Sequence, residues 1–232
     1  VINRVRLACA LLLAALAAPV WAGEFSFSAD TMTGSMVKGR ERVVLTGRAT
    51  VLSDGMRINA DRIELYGDDF RFAEAIGKVR VEDRNRGLLL TTDNLFYDRQ
   101  DRIARLTGPS IMEDRTNSVV IKGNFIENDD KKEIALVQID VRILREGLSC
   151  RAEFARYDRK GNTLELSGSP VVRRNGDEFR ATLIRVNLDT DNILLLGSVS
   201  GVVSTTGMAE TAGSTGSAAS PDGSVVPGAG ND

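Results

Sequence analysis

The chain has 232 residues, 30 of them basic and 32 acidic, no histidine, and a net charge of −2. The lack of histidine removes the commonest general base and the commonest zinc ligand together. Bases and acids are interspersed, as in Glu82-Asp83-Arg84-Asn85-Arg86, which argues against a nucleic-acid-binding stripe.

In chain order, Arg4 and Arg6 precede an apolar run from Leu7 to Ala18, and Val20-Trp21-Ala22 has the small residues of a cleavage site. Residues 1–22 therefore read as a cleaved signal peptide; the run falls short of the ~20 apolar residues that cross a bilayer. Cleavage would leave Cys150 as the only cysteine, a buried thiol in an apolar column with no partner for a disulfide. An exported chain of this kind has to draw its stability from backbone pairing and core burial.

Residues 23–203 carry an internal repeat. A small residue meets a polar one at Ala29-Asp30, Ala60-Asp61, Thr92-Asp93, Gly123-Asn124, Ala152-Glu153 and Ala181-Thr182, steps of about 30 residues that signal a stacked, elongated architecture. Two positions before the small residue stand Phe27, Ile58, Leu90, Ile121, Cys150 and Phe179, and three positions after it stand Met32, Ile63, Leu95, Ile126, Ala155 and Ile184. Those columns are five residues apart. An alternating strand cannot put both on one face, so each strand needs a bulge or bend at the small-polar step.

A second set of columns ends on glycine at Gly47, Gly77, Gly108, Gly168 and Gly197, with Gln138 at the expected fourth position. Apolar pairs precede it, as in Ala104-x-Leu106, and the alternation resumes after it, as in Val79-x-Val81. This predicts a long strand with glycine facing inward at a crease, where a larger side chain would hold the flanking sheets apart. Turn-rich segments such as Asp98-Arg99-Gln100-Asp101 and Asp158-Arg159-Lys160-Gly161-Asn162 join the strands. About six units of two bent antiparallel strands would stack over roughly 60 Å, with the creases aligned in a V-shaped trough. Phe27, Ile58, Ile63, Leu90, Leu95, Leu106, Ile121, Ile126, Phe179 and Ile184 would line it. The same columns also suit a filled β-sandwich or a solid-cored solenoid without ligand.

From residue 204 to 232 the composition turns to Ser, Thr, Gly, Ala and Pro, too poor in bulky apolar residues to order itself. No nucleophile elbow or phosphate-binding glycine loop is present. The loop residues Asp68, Asp69, Asp129, Asp130, Asp189 and Asp191 could bind calcium, but Asp is an ordinary turn former. The expectation is a protein that is not an enzyme, with no catalytic residue, metal or cofactor.

The run Leu45-Thr46-Gly47-x-Ala49-x-Val51, then Ile58-x-Ala60-Asp61-x-Ile63-x-Leu65-Tyr66, then Ala75-x-Gly77-x-Val79-x-Val81, resembles the OstA-like family of periplasmic lipopolysaccharide-transport proteins of the LptA type. Thr92-Asp93-x-Leu95-x-Tyr97-Asp98 and Leu106-x-Gly108 repeat the pattern, and Phe25-x-Phe27-x-Ala29-Asp30 is similar to that family's opening strand. The resemblance runs over about residues 24–203 and is clearest in the first two full units. It implies an all-β, elongated, open β-jellyroll located in the periplasm, whose interior shields the acyl chains of lipopolysaccharide or a related glycolipid. It also implies head-to-tail homo-oligomers and edge-to-edge pairing with jellyroll domains of an inner-membrane transporter and an outer-membrane translocon. A structural or adhesive β-repeat protein of the cell envelope is the alternative.

Overall fold

The computed structural model describes residues 25–204 apart from 36 and 54; the predicted signal peptide and the tail beyond residue 204 lie outside the described residues. The apolar alternation becomes strand after strand, since β-branched and aliphatic side chains at every second position fit a half-buried pleated surface. The strands are β1 (Phe25–Ser28), β2 (Thr31–Ser35), β3 (Arg42–Ser53), β4 (Met56–Tyr66), β5 (Phe72–Asp83), β6 (Leu88–Asp98), β7 (Ile103–Asp114) and β8 (Val119–Asp129). They continue as β9 (Ile134–Arg145), β10 (Leu148–Asp158), β11 (Thr163–Ser167), β12 (Val171–Arg174), β13 (Asp177–Arg180), β14 (Leu183–Asn187), β15 (Ile193–Leu196) and β16 (Ser200–Val202). All 16 join one antiparallel sheet, and among the described residues the only helical element is a short 3₁₀ turn at Asp68–Phe70.

The sheet is folded along a line of corners into two wings with the same strand order. Each long strand from β3 to β10 runs through both wings. Nearer the chain ends the corner interrupts the strand, so β1 and β2, β11 and β12, β13 and β14, and β15 and β16 divide between the wings. Wing A runs β2-β3-β4 and onward to β10-β11-β14-β15. Wing B starts at β1 and ends β10-β12-β13-β16. This is the expected all-β open jellyroll: hydrogen-bonded ladders run across each wing and none closes the wing tips.

At each corner the register slips, between Thr46 and Ala49 on β3, Ile76 and Val79 on β5, and Thr107 and Ser110 on β7. Two residues of one strand there oppose a single residue of the next, which bends the strand and raises its twist. Gly47 and Gly77 both adopt φ 79°, the left-handed region that glycine enters without steric cost.

The glycine prediction is corrected in one respect. Gly47, Gly77 and Gly108 are half-buried, and Gly168 and Gly197 are exposed, on the outer side of the corner rather than facing into a trough. The space a side chain would occupy is filled by the polar residue of the preceding strand's small-polar pair. A Cβ at Gly47 would lie 2.4 Å from Asp30 Oδ2, and one at Gly77 would lie 2.6 Å from Asp61 Oδ2. The same relation links Gly108 to Asp93, Gly168 to Glu153 and Gly197 to Thr182. The backbone N–H groups of Asp30 and Thr182 also donate to the carbonyls of Gly47 and Gly197, at 2.9 and 2.7 Å. The two sequence columns are therefore two halves of one corner.

The fourth corner is also corrected. Gln138 lies in regular pairing with Phe154 and Phe125, and the left-handed pair is Ile139 and Asp140, at φ 66° and 54°. A β-branched residue is strained there.

Candidate functional site

The interior is built from two rows of side chains in register, one crossing wing B from β1 to β13 and the other crossing wing A from β2 to β14. In wing B, Phe27 opposes Val51, Val51 opposes Ile58, and the row continues through Val81, Leu90, Met112, Ile121, Ile143, Cys150 and Val172 to Phe179. In wing A the row runs from Met32 through Leu45, Ile63, Ala75, Leu95, Leu106, Ile126, Val137, Ala155 and Leu166 to Ile184. The corner removes the odd-spacing conflict, so Ile58 and Ile63, five residues apart, both face inward. All ten predicted lining residues lie on these two rows.

Eight of the ten, from Ile58 to Ile126 and Ile184, are no more than 5% exposed within one continuous apolar cluster. Phe27 and Phe179 close the wing B row at its two ends; Phe27 is 39% exposed and Phe179 half-buried. Arg62 and Asn94, on the other faces of the same strands, are exposed. Near the corner the interior narrows to small side chains, Ala49, Ala60, Thr92, Ser110 and Ala152, with the Thr92 and Ser110 hydroxyls 2.8 Å apart. Burial pushes the Cys150 thiol up to about 12, so it stays neutral in its row.

Opposite the corner, the tips of the two wings meet along a seam made by side chains. Sequence reasoning did not find it. Arg159, on a wing A tip, sits 3.3 Å from Asp114 at the end of wing B strand β7, with side chains 8% and 0% exposed. Tyr157 donates its hydroxyl to the same carboxylate at 3.2 Å, and Asn117 of wing B donates to the Arg159 carbonyl at 3.4 Å. Arg86 of wing B holds Asp83 in its own turn and lies 3.5 Å from Asp130 of wing A. Nearer the C-terminal end, Arg145 donates to the Leu188 carbonyl, and Arg174 pairs with Asp191 at 2.5 Å.

The seam is not fully satisfied. Arg159 Nη1 reaches Asp130 only at 3.8 Å and makes no hydrogen bond, and the buried Asn128 Oδ1 also has no partner. Burial raises the Asp130 carboxyl above its ordinary range, against the pull of Arg86. Burial likewise pushes the Tyr97 hydroxyl up to about 12.

The open space along the seam lies toward the N-terminal end, where Ser53, Met56, Arg86, Tyr97, Arg99 and Arg102 border an opening of about 190 Å³. Behind it, small apolar gaps of about 20 Å³ are lined by residues that include Met56, Ile58, Leu65, Phe70, Leu90 and Tyr97. A gap of that size has room for about one water and no acyl chain. In this conformation the trough is closed.

The turns obey one rule. A strand's last Asp accepts the backbone N–H three residues on: Asp83 from Arg86, Asp98 from Asp101, Asp114 from Asn117, Asp129 from Lys132 and Asp158 from Gly161, at 2.9 to 3.1 Å. Successive tips also bond to one another, with Arg99 N–H donating to the Arg71 carbonyl and Asp130 N–H to the Arg102 carbonyl. Of the six loop acids considered for calcium, Asp129 is held in such a turn, Asp130 and Asp191 in the seam, and Asp189 accepts from Asn162 at 2.6 Å.

A family profile described as OstA-like protein matches residues 27–138. Over this segment the chain is similar to that family. The match spans β1 through the wing A half of β9, the region with the clearest corner pairs. Among solved structures, LptH of Pseudomonas aeruginosa, described as the LptA-homologous periplasmic component of a lipopolysaccharide transport device, is 10% identical. The match covers 78% of this chain and 95% of that one, with a TM-score of 0.24. No curated protein matches.

Proposed function

We propose that this chain is a periplasmic bridge component that shields the acyl chains of lipopolysaccharide or a related glycolipid between the inner and outer membranes. Residues 1–22 serve as a cleaved signal peptide, residues 23–203 as the jellyroll and residues 204–232 as a low-complexity tail. The observation that carries the reading is the pair of interior rows: apolar side chains running unbroken from β1 to β13 in wing B and from β2 to β14 in wing A, in a sheet whose wing tips are held through side chains. Shielding an alkyl chain needs apolar contact, worth about 0.8 kcal/mol per CH₂ buried, and no reactive group. A seam without backbone ladders can part without breaking the sheet, and its unsatisfied Arg159 and Asn128 atoms make parting less costly.

The stack ends supply the second support. Among the described residues, the edges β1 and β2 at one end and β15 and β16 at the other have no further strand beside them, and exposed apolar side chains gather there: Phe27, Met32, Leu194, Leu196, Val199 and Val202. An uncovered edge of this kind is a hazard unless a partner strand covers it. Head-to-tail copies of this chain and like jellyroll domains on an inner-membrane transporter and an outer-membrane translocon are the partners that fit.

The test is photo-crosslinking in cells. A crosslinker at Ile58 or Leu90 should capture lipid and one at Arg62 or Asn94 should not; equal capture at both sets would refute the reading. One observation favours a second reading, a structural or adhesive β-repeat protein: the interior is packed nearly to completion. That protein would show no lipid capture at any position.

A further inference from the structure

The outer faces of the two wings carry charge in different ways. On wing A, bases meet acids on adjacent strands: Arg42 with Glu64, Arg105 with Glu127 and Arg185 with Glu165, each at 2.7 Å. On wing B one transverse row runs Arg80, Thr91, Ile111, Lys122, Arg142, Arg151, each directly opposite the next across adjacent strands. It contains no acid. Lys122 faces Arg142, and Arg142 faces Arg151, as cross-strand neighbours of like charge, an arrangement that destabilises a sheet. Among the described residues, Arg80, Lys122 and Arg151 form no ion pair within 4.0 Å, and Arg142 pairs only with Asp140, 3.3 Å away and well exposed.

The row borders a concavity. Lys78, Arg80, Lys122 and Arg142 surround a groove of about 670 Å³ beside the corner, with Thr91, Ser110, Asn124 and Pro109 also along its wall. Asp93 and Asp140 are its acids, so four bases stand against two acids in a chain whose net charge is −2. The volume is that of a small-molecule site, and lysine and arginine with hydroxyl and amide donors are the groups that hold phosphate. A membrane surface would call for large apolar side chains standing out from the face, and the transverse row offers only the half-buried Ile111 among its bases.

We infer that this outer groove of wing B is a binding site for a saccharide-sized ligand bearing two phosphate groups, one held by Lys122 and Arg142 and the other by Lys78 and Arg80. Three strand spacings separate Arg80 from Lys122, about 14 Å between backbones, a gap that two long basic side chains can bridge from both sides to a phosphorylated hexose. The four bases stand on the outer face, while Val79, Thr92 and Ser110 of the groove wall are buried and shared with the interior; binding to the bases does not require lipid to enter there.

The experiment is calorimetric titration of glucose 1,6-bisphosphate into the full chain, alongside a Lys122→Gln/Arg142→Gln variant and an Arg105→Gln control on wing A. All three positions are exposed, and circular dichroism verifies that each variant is folded. The expected result is saturable binding that weakens at least tenfold in the double variant, is unchanged in the control, and falls as salt is raised. A parallel arm uses phosphatidylcholine vesicles containing phosphatidylglycerol. Binding to those vesicles without binding to the bisphosphate would make the face a membrane contact and overturn the proposal. So would no binding, or binding that the double variant leaves unchanged.

Discussion

Replacing Asp114 by Asn tests the seam. The carboxylate is fully buried and serves both Arg159, whose side chain is 8% exposed, and the Tyr157 hydroxyl. Without it the guanidinium keeps only Asp130, at 3.8 Å, and remains charged and buried. Removing one partner of a buried pair costs about 3 to 5 kcal/mol, because the other is left uncompensated. Allowing for Asp130, the lower end, about 3 kcal/mol, is expected. With an urea m-value near 3 kcal/mol/M, at the top of the usual range as suits a domain of this size, the midpoint should fall by about 1 M. Arg159→Met alone should cost a similar amount, since Asp114 then loses its counter-charge. The double variant Asp114→Asn/Arg159→Met should cost about 4 kcal/mol rather than the additive total of about 6, a coupling energy of roughly 2 kcal/mol. Urea titration followed by circular dichroism measures all three. Additive losses, or single losses below about 0.5 kcal/mol, would show that the tips are held by something other than this pair.

Gly77→Ala should cost about 1 to 2 kcal/mol, from a side chain at φ 79° and from displacing the Asp61 carboxylate. Ile139→Gly should do the opposite: relief of the left-handed strain at φ 66° outweighs the entropy of a new glycine, for a gain of about 0.5 to 1 kcal/mol, read from the urea midpoint. Acid should weaken the fold through Asp98, whose carboxyl is held below its ordinary value chiefly by the hydrogen bond from Arg71. A group lowered in the folded state contributes stability above its unfolded value, about 3.9, and loses it as pH falls through the folded value. Asp98→Asn should therefore flatten the decline of stability below about pH 4, and an unchanged slope would refute the assignment. Proline at both Val199 and Val202 should abolish end-to-end oligomers while the monomer stays folded, checked by light scattering and circular dichroism; oligomers that persist would exclude that edge.

The sequence by itself determined the strands, their bends and the two interior rows. Each of these rests on local rules: alternation places Ile58 and Leu90 on one face, and the small-polar step with its glycine partner turns the chain so that Ile63 and Leu95 return to the same side. The apolar column also marked Cys150 as a buried thiol. The outcome at the corner needed three dimensions. That Asp61 would occupy the space beside Gly77, placing the glycine outward, depends on which strand lies alongside, and Ile139 carried no local sign of a left-handed backbone because the neighbouring strands impose it. The seam was illegible for the same reason. Asp83, Asp114 and Asp130 look like ordinary turn acids, and Arg86 and Arg159 look like solvated bases. Only the angle between the wings brings a wing A arginine to a wing B aspartate, and with it decides that the trough is closed.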